Sequence, residues 1–117
     1  MGDRQVLTGY SLLLPDPVVP DLNALAGSAR AAFLEDMTRL GDALLQVTGA
    51  ERINYEILGN SEPALHAHLF PRYGHEPPEL RRRPAWFYDW SKAREFNRSE
   101  NEALIRAITK SLGEQAV

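Results

Sequence analysis

The chain has 117 residues, a length that points to one domain with a real but modest core. Its 44% hydrophobic and 25% charged residues suit a soluble globular protein, and the absence of cysteine excludes disulfides, thiolate nucleophiles and cysteine-ligated zinc and fits the cytoplasm. A net charge of −3 offers no overall basic field for long nucleic acid, and no run of about 18 apolar residues is present to span a membrane. The N-terminus, from Met1 to Val6, lacks the basic-then-apolar layout of a signal peptide.

In chain order, residues 5–14 read as extended, with Tyr10, Leu12 and Leu14 on one side. Pro15, Pro17 and Pro20 end that strand and force an extended connector. Asp21 stands at a helix N-cap ahead of Leu22 and Leu25, and Gly27-Ser28 separates this short element from the next, which Ser28 can cap. The main helix is expected over 29–48. Its apolar stripe is Phe33, Met37, Leu40, Leu44 and Val47, and Gly49 follows as the C-terminal stop. Residues 53–58 and 65–70 read as two strands, joined by a turn at 59–63 and closed by Pro71, which suggests an antiparallel hairpin. Residues 74–84 read as irregular, with the basic run Arg81-Arg82-Arg83 as either a solvated loop or a phosphate or acidic-partner contact. Residues 86–90 form an aromatic cluster, a lid or dimer contact with base stacking as the other reading. A last helix is expected from Ser99 to about Leu112, ended by Gly113.

Chemistry concentrates around the hairpin. Side chains two apart on a strand share a face, so His66 and His68 project together while Leu65, Ala67 and Leu69 turn to the core. A neutral imidazole is a competent nucleophile towards phosphorus near pH 7, and a second, protonated one can hold a phosphoryl oxygen or help a leaving group. The preceding Gly59-Asn60-Ser61 turn supplies backbone N–H groups, an amide and a hydroxyl suited to phosphate oxygens. The residues alone leave two other readings open. One is a pair of structural histidines in a sheet. The other is a metal site completed by His75, Glu56 or Asp89, none of them at diagnostic spacing.

The segment from Asn54 to Arg72 resembles the signature of the histidine triad (HIT) family of nucleotide hydrolases and transferases, in particular bacterial diadenosine tetraphosphate hydrolase-like members. Read back from Leu69-Phe70-Pro71-Arg72, His68 falls on the third motif histidine and His66 on the middle one, while Ala64 replaces the first. Gly59-Asn60-Ser61 is similar to the family's phosphate turn, and Asn54 to an asparagine on its preceding strand. Gly9 to Pro15 and Asp21 to Leu25 are similar to two earlier blocks. The likeness covers residues 9–72, and the N-terminal part of the usual family domain reads as short or absent.

The resemblance implies an α+β fold, an antiparallel sheet with one long packed helix and a C-terminal helix, and a homodimer. It implies hydrolysis at the α-phosphate of a dinucleoside polyphosphate or similar compound. His66 would be the nucleophile, oriented by the carbonyl that alanine keeps at position 64. His68, Asn60 and Ser61 would hold phosphate oxygens with Gly59, Asn54 would support them, and neither a metal nor another cofactor is required. A non-catalytic nucleotide-binding or dimerising module on the same scaffold is the alternative.

Overall fold

The structure is a computed structural model and describes residues 1–115. The regular elements in chain order are β1 (Arg4–Gln5), β2 (Ser11–Leu13), α1 (Gly27–Thr48), β3 (Arg52–Glu56), β4 (Ala67–Arg72), α2 (Pro78–Arg81), β5 (Arg94–Glu95) and α3 (Arg98–Gln115), with 3-10 turns at Leu22–Ala24, Ala85–Phe87 and Trp90–Lys92. Strands β2, β4 and β3 form an antiparallel sheet in that order, and β1 pairs with β5 in a separate two-stranded ribbon. This is the α+β arrangement that the resemblance implies, with helices over one sheet face. Among the described residues no helix is long and apolar enough to cross a membrane.

The central strand β4 is buried along its whole length because both sheet faces are covered. On one face Ala67 and Leu69 meet Phe33, Ala43 and Leu44 of α1, Ile53 of β3 and Ile108 of α3. On the other, Phe70 lies with Leu7, Tyr10 and Ala85 beneath Tyr73, Tyr88 and Trp90. Burying each such leucine or phenylalanine contributes about 1.5–3 kcal/mol. Helix α3 lies along α1, with Leu104 and Leu112 at the seam and Ser111 Oγ bonded to Gln46 Oε1 at 2.5 Å. Gly49 ends α1 with φ 72°.

Several element boundaries differ from the sequence expectations. The stretch 5–14 is not one strand: Tyr10 N bonds Leu7 O at 3.0 Å, Gly9 takes φ +90°, and only Ser11–Leu13 joins the sheet. Few residues other than glycine adopt that backbone angle, so the strand breaks there. Asp21 caps as expected, accepting from Ala24 N at 2.9 Å. The main helix begins at Gly27, two residues early, and its N-cap residue Ala26 makes no side-chain bond. Strand β4 begins at Ala67, two residues later than expected, so that His66 precedes it, and it runs through Pro71 to Arg72. Pairing with β2 has ended at Leu69, so the missing proline N–H is not needed on that side, while Pro71 still pairs Ile53 on β3. A one-turn helix starts at Pro78 inside the stretch read as irregular. Gly113 does not stop α3, which continues to Gln115; there Nε2 bonds Arg39 O at 3.0 Å, and packing on α1 outweighs the roughly 1 kcal/mol cost of a helical glycine.

Arg72 ends β4 on the same face as His68 and Phe70 and is buried with Glu76. Its Nε and Nη2 bond the Glu76 carboxylate at 3.0–3.2 Å. Nη1 bonds Asn54 Oδ1 at 2.8 Å and Arg83 O at 2.6 Å, and Nη2 bonds Leu80 O at 3.0 Å. Glu76 also accepts from Tyr73 N at 2.6 Å and Tyr88 Oη at 2.5 Å. Burial alone would raise the Glu76 carboxyl, but these hydrogen bonds and the Arg72 charge hold it below its ordinary value.

Glu76→Ala leaves a buried guanidinium without its counter-charge and is expected to cost about 3–5 kcal/mol in urea unfolding. Because folding lowers the Glu76 pKa, its contribution is complete above the ordinary carboxyl value of 4.5 and is lost as pH falls through the lowered one. Unfolding free energies measured against pH should therefore fall less steeply in acid for the variant than for the parent.

Candidate active site

The turn after β3 depends on Gly59, whose φ of +86° suits glycine. It brings Gly59, Asn60, Ser61 and Glu62 against His66 and His68, and with Leu58 and Trp86 these residues line a hollow of about 290 Å³. The two imidazole rings lie edge to face, 4.7 Å between centroids. Ala67 and Leu69 are buried in the helix-side core, as the alternation along β4 requires, and Leu65, ahead of the strand, joins them.

The two rings are held differently. His66 Nδ1 lies 2.6 Å from the Ala64 carbonyl oxygen. A carbonyl can only accept, so Nδ1 carries the proton and donates, and in the neutral ring Nε2 keeps its lone pair. His68 is buried, with Nδ1 2.7 Å from the Tyr10 hydroxyl. Burial, then the neighbouring Asp3 and Glu56 charges, push the Tyr10 phenol up to about 12, so its proton stays on. Donation from Tyr10 to Nδ1 satisfies both groups and leaves the His68 hydrogen on Nε2. Burial, with His66 beside it, pushes the His68 pKa down to about 4. His68 is thus neutral near pH 7, not the protonated partner expected from the sequence, and can offer one N–H.

Trp86 stands edge-on to His68, 5.0 Å between centroids, and its indole N–H donates to the carboxylate of Glu56. Glu56 pairs directly opposite His68 across the β3–β4 ladder. Trp90 stacks on Trp86 at 5.0 Å. The aromatic cluster accordingly covers the histidine face and forms one wall of the hollow.

Five of the six candidate residues, Gly59, Asn60, Ser61, His66 and His68, share this hollow, whereas Asn54 does not. Asn54 lies on the same sheet face, opposite Phe70, but its carbonyl oxygen is engaged by Arg72 and it borders a separate, larger hollow. Tyr10 is not among the candidates, and Trp86 is one only as part of the aromatic cluster at 86–90. Tyr10 is 58 positions from His68 and meets it only through strand pairing, which local spacing does not reveal.

Among the described residues no three histidine or acidic side chains cluster to hold a metal ion. His75 stacks on Tyr73, Glu56 bonds Trp86, and Asp89 caps Ser91 N at 3.0 Å.

Because folding lowers the His68 pKa from 6.5 to about 4, the unfolded chain takes up a proton between those values that the folded chain does not. This contribution to stability is complete above 6.5 and is lost as pH falls towards 4. Tyr10→Phe strands the buried His68 Nδ1 and is expected to cost about 1–3 kcal/mol. Ring-proton NMR titrations and chemical unfolding of both proteins check these values.

No protein-family model and no curated protein sequence matches the chain. Solved structures do. A histidine triad protein from Sinorhizobium meliloti 1021 superposes with a TM-score of 0.75 at 24% identity, over 87% of this chain and 73% of that one. A histidine triad protein from Bradyrhizobium japonicum gives 0.74 at 24%, over 88% and 75%. A hypothetical histidine triad nucleotide-binding protein from Sulfolobus tokodaii strain 7 gives 0.74 at 16%, over 97% and 76%. The chain has the fold of the histidine triad proteins.

Proposed function

We propose that the chain hydrolyses a phosphoanhydride or phosphoramidate bond at the α-phosphate of a nucleotide, such as a dinucleoside polyphosphate, through a nucleotide carried on His66. The observation that carries this reading is the 2.6 Å contact between His66 Nδ1 and the Ala64 carbonyl, which fixes the ring with its Nε2 lone pair available beside a phosphate-binding turn.

In the first step Nε2 forms a bond to the α-phosphorus, the bond to the leaving group breaks, and the leaving group departs with the electron pair. In the second, a water oxygen bonds the same phosphorus, the N–P bond breaks, the water proton passes to solvent, and His66 is restored. The Asn60 amide, the Ser61 hydroxyl, the turn N–H groups and the His68 Nε2–H are the donors for the phosphoryl oxygens. Asn54 contributes indirectly, by fixing Arg72 at the end of β4. The whole chain acts as one domain in this scheme. A homodimer is part of the proposal, since β3 is the outer strand of its sheet and Tyr55 on it is exposed.

One observation favours a second reading. Ala64 removes an imidazole from the motif, which suits a module that binds nucleotide without turning it over. Incubation with a labelled dinucleoside polyphosphate, followed by mass spectrometry, separates the two. The hydrolase gives a nucleotidyl adduct on His66, and His66→Ala loses it together with roughly a thousand-fold or more in turnover. Retention of turnover in that variant would overturn the nucleophile assignment, and binding without any adduct would favour the module.

A further inference from the structure

We infer that a second anion site, built by Arg52, Arg81, Arg82 and Arg83, binds the oligophosphate chain of the leaving group beside the histidine hollow. This inference rests on the proposed function and narrows it, favouring phosphoanhydride over phosphoramidate substrates.

The four arginines come from two elements, β3 and the segment around α2, and line one hollow of about 760 Å³ with Asn54, Glu56 and Arg72. All four are exposed and, among the described residues, none is in a salt bridge. Arg72 in the floor has its charge met by Glu76, so it does not compete for a ligand. Of the two carboxylates in the lining, Glu56 accepts from Trp86, and Glu51, which lies over Gly74, sets one negative charge against the four guanidinium groups. Arg81 Nη1 donates to Gly74 O at 3.2 Å and Arg83 lies over the Phe87 ring at 5.0 Å, contacts that leave both charges unneutralised, so in a sequence that is acidic overall, at −3, four cations line one concavity.

Guanidinium groups pair with phosphate oxygens two at a time, so an orthophosphate engages one or two of the four and a chain of phosphates can engage more. The two hollows adjoin at Glu56 and Trp86: Glu56 borders the arginine side, Trp86 borders the histidine side, and the two are hydrogen-bonded. In the inferred arrangement a chain whose α-phosphorus sits at His66 passes over that bridge to meet the arginines. The leaving-group chemistry agrees. An oligophosphate departs as an anion, whereas an amine must collect a proton, and His68 in its neutral form is a poor source of one.

Arg52 and Arg82 make no side-chain hydrogen bond to the rest of the described chain, so Arg52→Ala/Arg82→Ala should fold as the parent does. Calorimetric titration with inorganic tripolyphosphate at low salt should show binding to the parent and to His66→Ala, and at least about ten-fold weaker binding to the double variant. The double variant should also need about ten-fold more dinucleoside polyphosphate for half-maximal adduct formation, while adduct formation from a nucleoside phosphoramidate is unchanged. Equal tripolyphosphate binding by parent and double variant would overturn the site, as would capture of a glutamate-rich peptide in preference to tripolyphosphate. If no donor labels His66 but the arginine-dependent binding persists, the hydrolase reading fails and the anion site stands.

Discussion

The ion pair between Arg72 and Glu76 is the constraint on which the face opposite the helices depends. It sits at the end of the central strand and is shielded from water, and its hydrogen bonds reach Asn54 on β3, the carbonyls of Leu80 and Arg83, and the hydroxyl of Tyr88. A proline- and arginine-rich segment with little apolar content of its own is thereby folded back over the sheet. Buried ion pairs add little net stability compared with apolar packing, but one with so many directional partners selects a single path for the chain. That path delivers Ala85 into the second core and sets Trp86 against His68.

The alternation that aims Arg72 into this network also aims His68 into the hollow, since positions 68, 70 and 72 share one face of β4. Two neighbouring imidazoles then acquire different characters from their surroundings. His66, at the open end before the strand, is turned by a main-chain oxygen. His68, inside the strand, is roofed by aromatic rings, bonded to a phenol and kept uncharged. Positive charge in the neighbourhood is provided by arginines on a different hollow, separated from the imidazoles by the Trp86–Glu56 contact, while Glu62 lines the imidazole hollow itself.

Much of this was legible in the residues because it depends on short-range periodicity. The stripe of α1, its stop at Gly49, the face of β4 that carries His68 and the turn at Gly59 all follow from spacing or from the backbone freedom of glycine, whereas His66 precedes the strand and is turned towards His68 by a main-chain contact. The extent of β4 was not, because proline ends a strand only where its missing N–H is wanted, and that depends on where β2 stops. Likewise Gly113 marks a helix end only if no neighbouring helix compensates for it. Tyr10, Trp86 and the Arg72 network depend on contacts between distant segments, and the charge state of His68 depends on burial that only the aromatic cover supplies. Asn54 reached the right face by alternation, yet local pattern could not foresee that an arginine would claim it.

The contact that turns His66 is made by a peptide oxygen, and position 64 contributes no side-chain atom to it. Ring orientation is therefore encoded by the course of the backbone between Pro63 and Leu65, and sequence drift at position 64 can change what else enters the cavity without disturbing the tautomer of its neighbour. A substitution there is a change of furnishing and not of foundation.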